Sequence, residues 1–168
     1  MNRMQEKEQL EEISKMIKSI KRIIEQNQYI HIPPFGQSKQ LNLKSNNYAF
    51  FLDLNRKGHK RPKCTFQLRE KRNKELPLVR IDIIGRPHQN PDGDFKWANQ
   101  VVKCPHLHRA DFPKYGTHVA VPLLKDNGNF KLSEQDLNDL ILCLKKALKF
   151  LNVENINEYQ FQEQSSLF

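Results

Sequence analysis

The sequence predicts one α+β domain: an N-terminal helix, a mostly antiparallel sheet carrying a long His-rich loop, and a C-terminal helix packed on the sheet. Three observations predict it. The chain opens on a helical apolar stripe and closes on a second one. The residues between them alternate apolar and polar side chains, punctuated by Pro and Gly. Two one-sided helices need a sheet to cover, and 168 residues suit a single core. The domain is expected over residues 1–153, with 154–168 a polar, frayed C-terminal tail.

Leu10, Ile13, Ile17, Ile20 and Ile24 recur at three- and four-residue spacing, which predicts a helix over 3–26. The stripe suits a core-covering helix and also a short dimerising seam. His31-Ile-Pro-Pro-Phe-Gly36 stops it, because proline lacks the amide donor. Strands are predicted at 39–44 and 47–55. Lys63–Arg69 then places Cys64, Phe66 and Leu68 on one face, giving a hairpin with one wet side. Leu76–Ile84 is the strongest strand signal, with Arg80 and Asp82 sharing one face. A buried Arg–Asp pair is costly without further hydrogen bonds, so this face borders a site or solvent. Ser133, with Asp136 three residues on, marks the start of the last helix. Its stripe is Leu137, Leu140, Ile141, Leu144, Leu148 and Leu151, with Cys143 as a small core residue.

The formal net charge is +9, which favours polyanions or an acidic protein surface as partners. The basic residues cluster in the hairpin: Arg56, Lys57, Lys60, Arg61 and Lys63 at one end, and Arg69, Lys71, Arg72 and Lys74 at the other. They read either as lysines protecting a sheet edge or as partner-binding contacts. No aromatic interleaving argues for base stacking. There is no apolar run near eighteen residues and no signal-peptide core, so a cytoplasmic protein is expected. The three cysteines, Cys64, Cys104 and Cys143, suggest no disulfide framework. A Gly-rich phosphate loop, a nucleophile elbow and HExxH are all missing.

Chemistry-bearing residues concentrate between Arg80 and Leu123. Pro91-Asp-Gly-Asp94 is a turn that presents His88, Asn90, Asp92 and Asp94. In Cys104-Pro-His-Leu-His108, a strand would send Cys104, His106 and His108 to one side. Three readings stay open. Cys104, His106, His108 and His118, with His88 as an alternative, can ligate zinc. Without metal, His88, His106 and His108 can serve as acid and base with Arg80 or Arg86 on a phosphate, a ribonuclease arrangement. The third reading is hydrogen bonding within a loop-rich edge. His31 and His59 read as surface residues.

At these residues the chain resembles a family of small proteins from phages and mobile elements of low-GC Gram-positive bacteria. The resemblance rests on Leu78-Val-Arg-Ile-Asp-Ile-Ile-Gly85, His88-Gln-Asn-Pro-Asp-Gly93, Pro105-His-Leu-His108 and Ala120-Val-Pro-Leu123, and extends more weakly over roughly 47–151. Before Ala120 the family pattern has an acidic-lysine-aromatic run, where this chain has Gly116-Thr-His118-Val. The resemblance implies a setting in a bacterial host cell, among inhibitors of host defence and toxins. In that setting the chain looks like a zinc-stabilised anti-CRISPR protein that binds Cas9, or another defence ribonucleoprotein, and blocks DNA loading or cleavage. The alternative is a ribonuclease toxin of a toxin–antitoxin pair. A monomer or weak dimer is expected.

Overall fold

Alternation builds the middle of the chain. In a computed structural model, which describes residues 2–58, 60–124 and 130–164, a helix precedes a run of antiparallel strands and a second helix follows it. Helix α1 spans Arg3–Lys18 and is opened by a capping box between Asn2 and Gln5. Next come β1 (Arg22–Ile23), β2 (Tyr29–Ile32), β3 (Ser38–Lys44), β4 (Ala49–Asn55), β5 (Cys64–Glu70) and β6 (Asn73–Ile84). A loop region holds β7 (His88–Gln89), β8 (Val101–Val102), β9 (His106–Arg109) and β10 (Val121–Pro122). Helix α2 is Leu140–Phe150, and β11 (Gln160–Glu163) comes last.

The main sheet has seven antiparallel strands in the order β1-β3-β4-β5-β6-β9-β10. Its inner face follows the predicted alternation. Phe50, Leu52 and Leu54 of β4, Phe66 and Leu68 of β5, and Val79 and Ile81 of β6 are buried in one core. Ile13 and Ile17 of α1 and Leu144, Ala147 and Leu148 of α2 complete it, with Cys143 also fully buried. Removing water from these side chains is the main stabilising term. The other face of β3 to β6 carries polar side chains, among them Gln40, Asp53, Gln67, Arg80 and Asp82.

The first helix is shorter than the stripe predicts. It ends at Lys18, and Ile20 and Ile24 are exposed at 65% and 47%. The cause is Lys21, which is fully buried. Its Nζ donates to the carbonyls of Ile17 and Ser19 at the end of α1 and to Leu151 at the end of α2, at 2.8, 2.8 and 2.9 Å. Three donors meet three otherwise orphaned acceptors, beside the face of Phe50. The chain then leaves as β1, where the β-branched Ile23 fits a strand.

The C-terminal segment also departs from expectation, because residues 154–164 are tied down. Asn155 accepts from the Ile23 amide and donates to the Ile23 carbonyl, mimicking a neighbouring strand at the β1 edge. Tyr159 donates to the carbonyls of Ile23 and Glu25, and β11 pairs in parallel with β2. Polar composition is compatible with order here because these polar side chains satisfy backbone groups. Ser133 and Asp136 do bond reciprocally, yet they cap the turn before α2; Asp139 caps the helix itself. No helix among the described residues is long and apolar enough to cross a membrane.

Lys21→Met keeps the aliphatic bulk and strands buried carbonyls. It is expected to lower stability by at least about 2 kcal/mol, read as a shift of the urea midpoint at neutral pH.

Candidate metal centre and basic groove

The antiparallel register of β6 and β9 sets Asp82 opposite His106 and Arg80 opposite His108. All four side chains lie on the polar face, as the period of two requires. On the other side of β6, Thr65 of β5 is the partner of Asp82. Its hydroxyl donates to Asp82 Oδ1 at 2.8 Å. Arg80 Nε donates to Asp82 Oδ2 at 3.1 Å. His106 Nε2 lies 2.9 Å from the same oxygen and His108 Nε2 3.4 Å from it.

The partners decide the protonation of both rings. His106 faces acceptors on both nitrogens: Asp82 Oδ2 at Nε2, and the Val102 carbonyl at Nδ1, 3.2 Å away. It therefore donates twice and is an imidazolium. Burial opposes this charge, and the Asp82 hydrogen bond overrides burial and raises the His106 pKa to about 9. His108 is different. Nδ1 donates to the Thr117 carbonyl at 2.9 Å, while Nε2 receives the Arg80 guanidinium at 3.0 Å. Arginine has only donors, so Nε2 holds a lone pair and the ring is neutral. Burial lowers its pKa, the Arg80 and His106 charges add to that, and the opposing pull of Asp82 does not reverse it. For Asp82, burial alone would raise the pKa; the His106 hydrogen bond, the Arg80 charge and the Thr65 hydroxyl hold it well below the usual carboxylate range.

One donor atom from each of Asp82, His106 and His108 lies within 4.8 Å of the others, so these three can hold a metal ion. The groups behind these three side chains suit that role. Each imidazole is oriented through Nδ1 by a backbone carbonyl, and the carboxylate is oriented by Thr65. Arg80 is the obstacle, because its guanidinium sits on the same carboxylate oxygen and the same His108 nitrogen.

The ligand set predicted from the sequence changes accordingly. Asp82, read only as part of an Arg–Asp pair, joins His106 and His108. Cys104 does not join them: its Sγ is 3.8 Å from His106 Nδ1, the side of the ring away from Asp82, and donates to the Arg86 carbonyl. The side chain of His118 is exposed and only its carbonyl takes part, accepting from His88 Nε2 at 2.7 Å. The His88 ring packs edge-on against His108, with centroids 4.8 Å apart. His31 lies in β2, outside the cluster, and His59 lies outside the described residues.

The rest of the motif-bearing loop turns out to hold itself together. Asn90, almost fully buried, accepts from the Ala120 amide and donates to the carbonyls of Ala120 and Trp97. Asp92 accepts from the Gly93 amide and from Asn99. Tyr115 packs so closely over Gly93 that a Cβ there would collide with its ring. Through these contacts β7 and β8 pair, and part of the segment expected to be a long His-rich loop becomes a braced ribbon.

Beside the cluster runs a groove of about 1970 Å³ over the polar sheet face, with Asp82, His106, Arg80 and Arg86 at one end. Of the basic residues singled out in the hairpin, Lys57, Lys60, Arg61, Lys63, Arg69 and Lys74 line it. Arg56 instead bonds the carbonyls of Lys63 and Pro33, Lys71 lies over Phe51, and Arg72 pairs with Glu70.

A family model matches residues 9–153, a span that contains the whole cluster. The chain belongs to DUF6978, a family of unknown function. No curated protein and no solved structure matches it. The DUF6978 span takes in every strand of the main sheet, all of α2 and α1 from residue 9 onward, and leaves β11 outside.

The His106 pKa is raised above its unfolded value, so its contribution to stability is complete below about pH 6.5 and is lost as pH rises through about 9. The urea midpoint of the wild type is therefore expected to fall between pH 6.5 and 9.5. In His106→Gln the fall attributable to this group should vanish. Parallel pH dependence in the two proteins would contradict the imidazolium assignment.

Proposed function

We propose that this protein binds a transition metal, zinc in the first instance, through Asp82, His106 and His108, and acts by binding a partner. The partner we propose is a host-defence ribonucleoprotein, most concretely Cas9, whose DNA loading or cleavage it would block. The observation that carries the metal reading is the convergence of both imidazole Nε2 atoms on one carboxylate, each ring braced from behind by a carbonyl. Two imidazoles and a carboxylate suit zinc and related divalent ions. When bound, the ion would supply a fixed positive charge linking β6 to β9. Burial supports action by binding: His106 and His108 are 1% and 0% exposed, and both nitrogens of each ring are already bonded within the protein.

Metal binding requires His106 to lose a proton and Arg80 to swing away. Affinity should therefore rise with pH up to about 9. Arg80→Ala should tighten zinc binding by about tenfold or more, given that removing a competing charge–charge contact is worth on the order of 1–3 kcal/mol. Elemental analysis and zinc titration of purified protein test this. About one zinc per chain, lost in His108→Ala, is the expected result. No zinc uptake by wild type or Arg80→Ala at pH 8 would refute the site. For the partner, the test is DNA cleavage by a reconstituted Cas9 complex with and without the protein; an unchanged cleavage rate at excess protein would remove Cas9.

One observation favours a second reading. A charged His106 beside a neutral His108 is the acid and base pairing that RNA cleavage needs, with Arg80 on the phosphate. It predicts metal-independent cleavage of RNA that is lost in His106→Ala, and RNA left intact in EDTA would exclude it.

A further inference from the structure

The groove carries a charge that the rest of the molecule does not neutralise. Nine Lys/Arg side chains line it against two aspartates. Both aspartates are already paired, Asp53 with Arg69 at 2.6 Å and Asp82 with Arg80 and His106. Among the described residues, Lys39, Lys57, Lys60, Arg61, Lys63, Lys74 and Arg86 form no ion pair at all. Seven uncompensated cations around one concavity, in a chain of net charge +9, hold a site of strongly positive potential.

The floor of the groove is as informative as the rim. It is an open sheet face carrying amide side chains, Gln40 and Gln67 with Asn55 at one end. Four adjacent strands, β3 to β6, make it about 14 Å across. Neither helix lies over it, because both pack in the core on the opposite face. Reading a duplex calls for an element that protrudes into a groove of the nucleic acid. Here the protein is the concave partner, which suits a flexible strand laid on the sheet with phosphates at the basic rim and base edges near the amides. An exposed aromatic ring lies next to the lining loop, although it is not itself a lining residue. Phe35, 46% exposed, packs against Gly58 of the basic loop. Phe35 reaches the loop from the turn after β2, outside the basic stretch itself.

From this charge, floor and ring we infer that the groove binds single-stranded nucleic acid, with Lys57, Lys60, Arg61, Lys63 and Arg86 on phosphates and Phe35 stacking on a base. The inference is independent of the metal: the cations and the ring are not ligands.

Fluorescence anisotropy with labelled dT12, U12 and a 12-base-pair duplex tests it, in EDTA so that the metal site plays no part. Both single strands should bind more tightly than the duplex. Affinity should fall by roughly fiftyfold between 50 and 200 mM salt, as expected for about four phosphate contacts on a single strand. Lys60→Glu/Arg61→Glu should lose at least tenfold, while Lys145→Glu/Lys149→Glu, the same charge change on exposed positions of α2, should stay within threefold. Phe35→Ala changes no charge and should still lose about fivefold, the low end of the loss for one stacked base. Equal losses in the two charge variants would reduce the effect to net charge and overturn the inference. Preference for the duplex, displacement by polyglutamate as readily as by unlabelled dT12, or an unchanged affinity in Phe35→Ala would each overturn it too. All substituted positions are exposed, so thermal melting should show each variant folded.

Discussion

Asp82 is the constraint around which this side of the molecule is arranged. A carboxylate on a half-buried sheet face must find partners or give up its charge. It finds them on three strands: Thr65 from β5, Arg80 from its own strand, and His106 from β9. The result is a short polar seam across the sheet in which no buried side-chain polar atom of the described residues is left without a partner. The seam makes one histidine an imidazolium and keeps the other neutral, although the two are two residues apart on one strand. The difference comes from what each ring nitrogen meets: two acceptors for His106, one acceptor and one arginine for His108.

That seam and the basic groove are two parts of one surface. The alternation that buries Phe50, Leu52 and Leu54 turns Asp53 and Asn55 outward, and the same period turns out Gln67, Arg80 and Asp82 on the next strands. Arg80 stands where they meet, bonded to the cluster on one side and open to the groove on the other. A metal ion would compete with Arg80 for the same two atoms, so filling the cluster would alter the charge at that end of the groove. The surrounding loop is held by Asn90, Asp92 and His88, whose polar groups bond to backbone. These residues, which looked like candidates for chemistry, keep the ribbon of β7 and β8 in place and so hold β9 and β10 beside the cluster.

Much of the fold was legible in the sequence because its signals are local. Period-two burial in β4 and β5 and the stripe of α2 are written in adjacent residues, and so is the shared face of Arg80 and Asp82. The same holds for His106 and His108 emerging on one side of a strand. The misreadings share a cause. Ile20 and Ile24 continue a helical stripe on paper, yet a buried Lys21 collects carbonyls from both helix ends and stops the helix. The Gln-rich tail has the composition of a frayed end, yet Asn155 and Tyr159 bond to residues more than 130 positions away. Cys104 shares the strand side of His106 but lies against the wrong ring nitrogen.

By itself, the sequence determined the α+β class, the core, the basic hairpin and the histidine-bearing strand, because each follows from the repeat of a single element. Only the tertiary structure decided that Asp82 completes the cluster, that His118 stands outside it, and that six of the hairpin cations face the same groove. Those outcomes depend on the register of β6 against β9 and on which way loops fold over the sheet. Register is set by the packing of the whole inner face, and no local spacing encodes it.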